Sequence, residues 1–134
     1  MTREPMRIRV LLVDDDDLAI AAERALLETD SRIRVVGRAC NGLEAVELSA
    51  RLAPDVVLMD IEMPVLDGVE ATRRIRSAPG RSAVVAVSGA DYQERALEMR
   101  EAGAVDYLRK SRLDDELLDA VVSAATRARA HPPS

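Results

Sequence analysis

A chain of 134 residues, 48% hydrophobic and 32% charged, has the size and balance of one compact domain and is too short for two ordinary ones. The net charge of −5 argues against a nucleic-acid surface, which needs a basic patch, and one cysteine (Cys40) and one histidine (His131) make neither an internal disulfide nor a Cys/His zinc set. No apolar stretch approaches membrane-spanning length and the opening M-T-R-E-P-M-R-I-R-V lacks the apolar core of a signal peptide, so a cytoplasmic domain is expected.

The first β-rich apolar run covers residues 8–13 and stops at four successive acids, Asp14, Asp15, Asp16 and Asp17. In the helical stretch that follows, Leu18, Ala22, Ala25 and Leu26 fall on one face. Asp16 and Asp17 are expected to start that helix, where carboxylates suit the dipole. A second run, 33–37, ends in Arg38-Ala39-Cys40 with no obvious chemistry, and Cys40 reads as a small apolar residue at a strand end. Asn41 and Glu44 then have the spacing of a capping box.

The third run, 56–59, ends abruptly in Asp60, followed by I-E-M-P-V-L-D-G, in which Asp67-Gly68 reads as a turn and helix start. The fourth, 84–87, ends at Ser88, and Asp91 with Glu94 repeats the capping-box spacing. The fifth, 105–108, leads to Lys110. A last helix is predicted from near Ser111 through Leu113, Leu117, Val121 and Ala124, before a tail at 131–134. Its second stripe, Leu118, Val122 and Ala125, widens the apolar arc beyond what one sheet face needs, which predicts a partner or dimer surface.

Five alternations of strand and helix imply a mostly parallel, doubly wound α/β sheet covered on both faces, within a single domain over residues 1–130. Ligands of such sheets bind outside the carboxyl ends of the strands. If the second strand is the outer edge, the other four tips bring Asp14, Asp15, Asp60, Ser88 and Lys110 to one place. Two unit charges about 4 Å apart repel by on the order of 1 kcal/mol in water and about 4 at an intermediate dielectric. Clustered carboxylates relieve this by a raised pKa or by a hard cation, and an all-oxygen set favours Mg²⁺ or Mn²⁺. Eighteen of the 19 basic residues are arginine, and the single lysine, Lys110, stands at this tip. Its compact ammonium suits a single phosphoryl or carboxylate oxygen.

V-L-L-V-D-D at 10–15, D-V-V-L-M-D-I-E-M-P-V-L-D-G at 55–68, V-V-A-V-S-G at 84–89 and D-Y-L-R-K at 106–110 together resemble the receiver domain of two-component response regulators. The likeness is greatest to receivers that precede a helix-turn-helix transcriptional domain. It implies a flavodoxin-like (βα)5 fold with strand order 2-1-3-4-5. It further implies that Asp60 is the phosphoacceptor and that Asp15 ligates Mg²⁺ directly. Asp14 would help to hold the ion, and Glu62 would offer its backbone carbonyl. Ser88 and Lys110 would each take a phosphoryl oxygen, and Tyr107 would turn as Ser88 moves. The implied partner is a sensor histidine kinase or phosphotransfer protein. The implied output face is the fourth helix, fifth strand and fifth helix, able to form a homodimer. Ser111 departs from the family, which often places a proline there, and suits a helix cap instead.

Two rival classes share much of this pattern. Aspartyl-phosphate hydrolases usually carry a second acid two residues after the nucleophile, and Asp60-Ile61-Glu62 imitates that only poorly. A phosphorylation-independent adaptor of the same fold would have lost an acid, the hydroxyl or the lysine, and none is missing. No glycine-rich phosphate loop precedes Lys110, so direct use of ATP is not expected.

Overall fold

The strands are β1 (Ile8–Val13), β2 (Ile33–Ala39), β3 (Val56–Asp60), β4 (Ala83–Ser88) and β5 (Asp106–Arg109), and the helices between and after them are α1 (Asp17–Glu28), α2 (Gly42–Leu52), α3 (Gly68–Ser77), α4 (Gln93–Ala102) and α5 (Leu113–Ala130). The computed structural model describes residues 7–63, 65–89 and 93–130. All strand pairs are parallel, in the order β2-β1-β3-β4-β5, so the flavodoxin-like arrangement expected from the sequence is present with β2 at one edge. No helix among the described residues is long and apolar enough to cross a membrane.

The apolar runs are continuous because both faces of the sheet are covered. Alternate residues of one strand enter different cores. Val10, Leu12, Leu58 and Val85 pack with Leu27 of α1 and Leu117 and Val121 of α5. Leu11, Val13, Val57 and Val84 pack on the opposite side with Ala45 of α2, Val69 and Ile75 of α3, and Met99 of α4. β3 is buried along its whole length, Asp60 included, which makes it the rigid centre of the sheet.

Capping is largely local and legible. Asp16 accepts from the Leu18 N–H at 3.0 Å, with Asp17 in the first turn of α1. Asn41 Oδ1 accepts from the Glu44 N–H at 2.9 Å, so the predicted pair caps α2, while the return bond of Glu44 goes to the Cys40 N–H at 3.1 Å, one residue before the N-cap. Asp91, the first half of the second predicted box, lies outside the described residues. Cys40 is exposed at the end of β2.

Two predicted faces are corrected. Leu18 is 81% exposed, Ala22 and Ala25 are exposed and Leu26 is only half-buried; the inner face of α1 is instead Ile20, Glu23 and Leu27. Alanines contribute too little area to choose a face, and an acid at position 23 disguised the true one. On α5, Leu113, Leu117, Val121 and Ala124 are buried as predicted, but the second stripe is not a free surface. Ala125 is 1% exposed, and Leu118 and Val122 pack against the same core. α5 touches α1 as well as the sheet, so it needs a wider apolar arc than a helix lying on the sheet alone. α5 is preceded by a 3₁₀ turn, Lys110–Arg112, so Ser111 lies inside that turn, and the Lys110–Ser111 peptide is trans.

Candidate functional site

The carboxyl ends of β1, β3, β4 and β5 place Asp14, Asp60, Ser88 and Lys110 at one edge of the sheet, and the backbone explains why each is fixed. Asp60 ends a fully buried strand, and the next residue continues the sheet, its N–H donating to the Val87 carbonyl at 3.1 Å. The Glu62 N–H returns to Asp60 Oδ1 at 3.3 Å. The Asp14 N–H is tied to the Ala39 carbonyl at 3.1 Å, and Asp14 Oδ1 accepts from the Asp16 N–H at 2.9 Å. Asp14 is therefore locked at 1% exposure, while its neighbour Asp15 faces solvent.

Carboxylate oxygens of Asp14, Asp15 and Asp60 all lie within 4.8 Å of one another. Lys110 Nζ stands 3.2 Å from Asp14 Oδ2 and 3.8 Å from Asp60 Oδ2. Asp14 Oδ2 is buried and accepts no aligned hydrogen bond, although that ammonium is close. An orphaned buried oxygen beside two further carboxylates fits a hard divalent cation, and the donor set, all oxygen with no sulfur or imidazole, suits Mg²⁺ or Mn²⁺. Ser88 is completely buried at the end of β4. Tyr107 packs half-buried against the α2–α4 core, and its hydroxyl is buried without a hydrogen-bond partner.

The electrostatics follow from this crowding. Burial, and then the Asp14 charge, push Asp60 up from 3.8 to about 7, against the pull of Lys110 and the Glu62 N–H. Burial works against the charge of Lys110, but Asp60 and Asp14 outweigh it and hold its pKa above the ordinary lysine value.

Three contributors escaped the sequence. Glu23 on the inner face of α1 is 2% exposed, and burial followed by repulsion from Asp14 raises it from 4.5 to about 7. It was hidden because an acid inside a helix reads as a solvated face. Gly68 is the second: a Cβ there would lie 2.4 Å from the Asp60 carbonyl oxygen and 2.7 Å from Ile61 Cα. Only glycine lets the start of α3 press against the backbone that carries Asp60, and its N–H donates to the Ile61 carbonyl at 2.9 Å. Gly42 is the third, since a Cβ would meet the Leu66 carbonyl oxygen at 2.1 Å, locking the start of α2 against the same loop. Asp67, read from sequence as a turn residue, caps α3 by accepting from the Glu70 N–H at 3.0 Å.

The model of the response regulator receiver domain matches residues 10–122. The chain belongs to that family. It is 38% identical over 119 residues to the transcriptional regulatory protein YxjL of Bacillus subtilis, covering 89% of this chain and 55% of that protein. It is also 38% identical over 128 residues to a protein-glutamate methylesterase/protein-glutamine glutaminase of Halalkalibacterium halodurans, covering 88% of this chain and 37% of that one. This receiver therefore spans about half or less of the length of those two relatives. Among solved structures, the signal receiver domain of NarL from Mycobacterium tuberculosis superposes with a TM-score of 0.87 at 30% identity, covering 91% of this chain and 98% of that one. Relatives with such different names share the receiver, so the receiver alone does not tell what a whole protein of this kind does.

Proposed function

We propose that this receiver is a phosphoacceptor switch, with Asp60 taking a phosphoryl group from a phosphohistidine on a sensor histidine kinase or phosphotransfer protein. The observation that carries the reading is the convergence of Asp14, Asp15, Asp60 and Lys110 within a few ångströms at the carboxyl edge. In the reaction an Asp60 carboxylate oxygen forms a bond to phosphorus, the phosphorus–nitrogen bond of the donor breaks, and the imidazole leaves with the electron pair. Asp60 must be ionised to attack, and Lys110 favours that form while standing ready for a phosphoryl oxygen. Asp14 and Asp15, with the Asp60 carboxylate and the Glu62 carbonyl, would hold Mg²⁺ or Mn²⁺. That ion, when bound, supplies charge neutralisation on the transferring group.

The acyl phosphate carries nearly two negative charges and new acceptor oxygens. Ser88, buried one residue beyond the Val87 that pairs with Asp60, would follow them, and the buried hydroxyl of Tyr107, unpartnered among the described residues, gives that ring a reason to move. The face of α4, β5 and α5 is the proposed output, for a partner or a homodimer, although the Leu118 stripe no longer supports a dimer there. The role is signalling rather than turnover of a substrate, in the cytoplasm, with residues 1–130 as the receiver unit and 131–134 as a tail.

The test is incubation with acetyl phosphate, with and without EDTA, followed by mass-spectrometric mapping. Acid-labile phosphate on Asp60 that needs a divalent cation is expected. An unlabelled wild type, or equal labelling of Asp60→Asn, would sink the proposal and favour a phosphorylation-independent adaptor.

A further inference from the structure

The opposite pole of the sheet, at the amino ends of β1, β3 and β4, holds a cavity of about 640 Å³, within the range of roughly 300–1,000 Å³ usual for small-molecule sites. Val46 of α2, Pro54, Ile75 of α3 and Pro79 give it apolar walls. Ser49 also lines it, as a residue only 9% exposed.

The charge at this pole is opposite to that of the chain as a whole. Four arginines, Arg7, Arg9, Arg81 and Arg129, line the cavity with a single acid, Asp55, in a protein of net charge −5. Some of that charge has a structural task. Arg9 Nη1 donates to the Leu52 and Ala53 carbonyls at 2.6 and 2.9 Å, answering the negative end of α2. Arg129 reaches Asp55 Oδ2 and the Arg7 carbonyl at 3.3 and 3.2 Å, and Asp55 also accepts from the Arg9 N–H at 2.8 Å. Arg7 and Arg81 are surplus to these needs, since their guanidinium groups pair with no described residue. Two cations that no described residue pairs, on an apolar cavity that a serine also lines, are the recognition elements of an amphipathic anion.

We propose that this cavity is a binding site for a small amphipathic carboxylate, its apolar body against Val46, Ile75 and Pro79 and its head between Arg7 and Arg81. The site is independent of Asp60 and stands whether or not Asp60 is phosphorylated.

Octanoate is the probe, followed by amide chemical shifts of the isotope-labelled chain. Saturable shifts are expected at Ser49, Ala50, Ile75 and Ser82, with roughly tenfold weaker binding of the neutral octanamide. A double variant, Arg7→Ala with Arg81→Ala, changes two exposed side chains and should weaken octanoate by at least tenfold while leaving the remaining spectrum in place. Shifts confined to the Asp60 pole, no saturation, or unchanged affinity in the double variant would each overturn the assignment. So would octanamide binding as tightly as octanoate. Inorganic phosphate shifting the same amides as tightly as octanoate would reduce the site to a cationic patch and overturn the amphipathic ligand.

Discussion

Replacing Glu23 with glutamine removes a carboxylate whose charged form is disfavoured by burial and by Asp14, so its effect on stability must depend on pH. Below its unfolded value of 4.5, Glu23 is protonated in the folded and unfolded chains alike, and the folded state suffers no charge penalty. As pH rises from 4.5 towards about 7, the unfolded chain releases the proton while the folded chain keeps it, so stability falls. Above about 7 both are ionised and the loss is complete. The interval from 4.5 to about 7 corresponds to about 3 kcal/mol, at about 1.4 kcal/mol for each pH decade. Glu23→Gln does not titrate and escapes this loss. A buried amide carries its own cost, but that cost is the same at every pH, so the readout is the change in the offset between the two proteins. Urea unfolding in EDTA from about pH 5 to about pH 8.5 should show the variant gaining up to about 3 kcal/mol on the wild type, with the gain levelling off above neutrality. An offset that stays constant across that range refutes the reasoning.

Three further outcomes are expected. Gly68→Ala drives a Cβ to 2.4 Å from the Asp60 carbonyl oxygen and should cost about 3 kcal/mol in denaturant unfolding, with loss of Asp60 labelling; an unchanged midpoint would show that the loop yields. Ala53→Gly relieves a left-handed residue, φ 47° and ψ 57°, at the exposed end of α2 and should stabilise by about 0.5–1 kcal/mol in thermal melts; a lower melting temperature would contradict this. Mg²⁺ at about a hundred times its dissociation constant should stabilise the protein by about 2.7 kcal/mol. That effect should be weaker below neutrality, where protons compete at Asp60, and reduced in Asp15→Asn; equal Mg²⁺ responses in the two proteins would remove Asp15 from the metal site.

The fold was legible in the sequence because its signals are local and repeated. Continuous apolar runs report burial on both faces of a strand, and Asp16 and the Asn41–Glu44 pair cap helices through neighbours two or three residues away. The acids, the hydroxyl and the lysine were readable for a similar reason: each sits at a strand tip, and parallel strands put their tips on one edge. What escaped was decided between elements. Whether α1 turned Leu18 or Ile20 inward depended on the helix and sheet it met, and the wide arc of α5 had its explanation in α1. The sequence by itself determined which chemical groups lie at the carboxyl edge, because apolar runs mark the strands and their alternation with helices makes them parallel, while the strand order was implied by the family resemblance. Only the tertiary structure decided that Glu23 is buried near them, that Gly68 is fixed by the Asp60 carbonyl, and that surplus arginines surround a cavity at the far pole. Those three facts rest on close approach between segments distant in the chain, and neither periodicity nor spacing along one segment encodes such a distance.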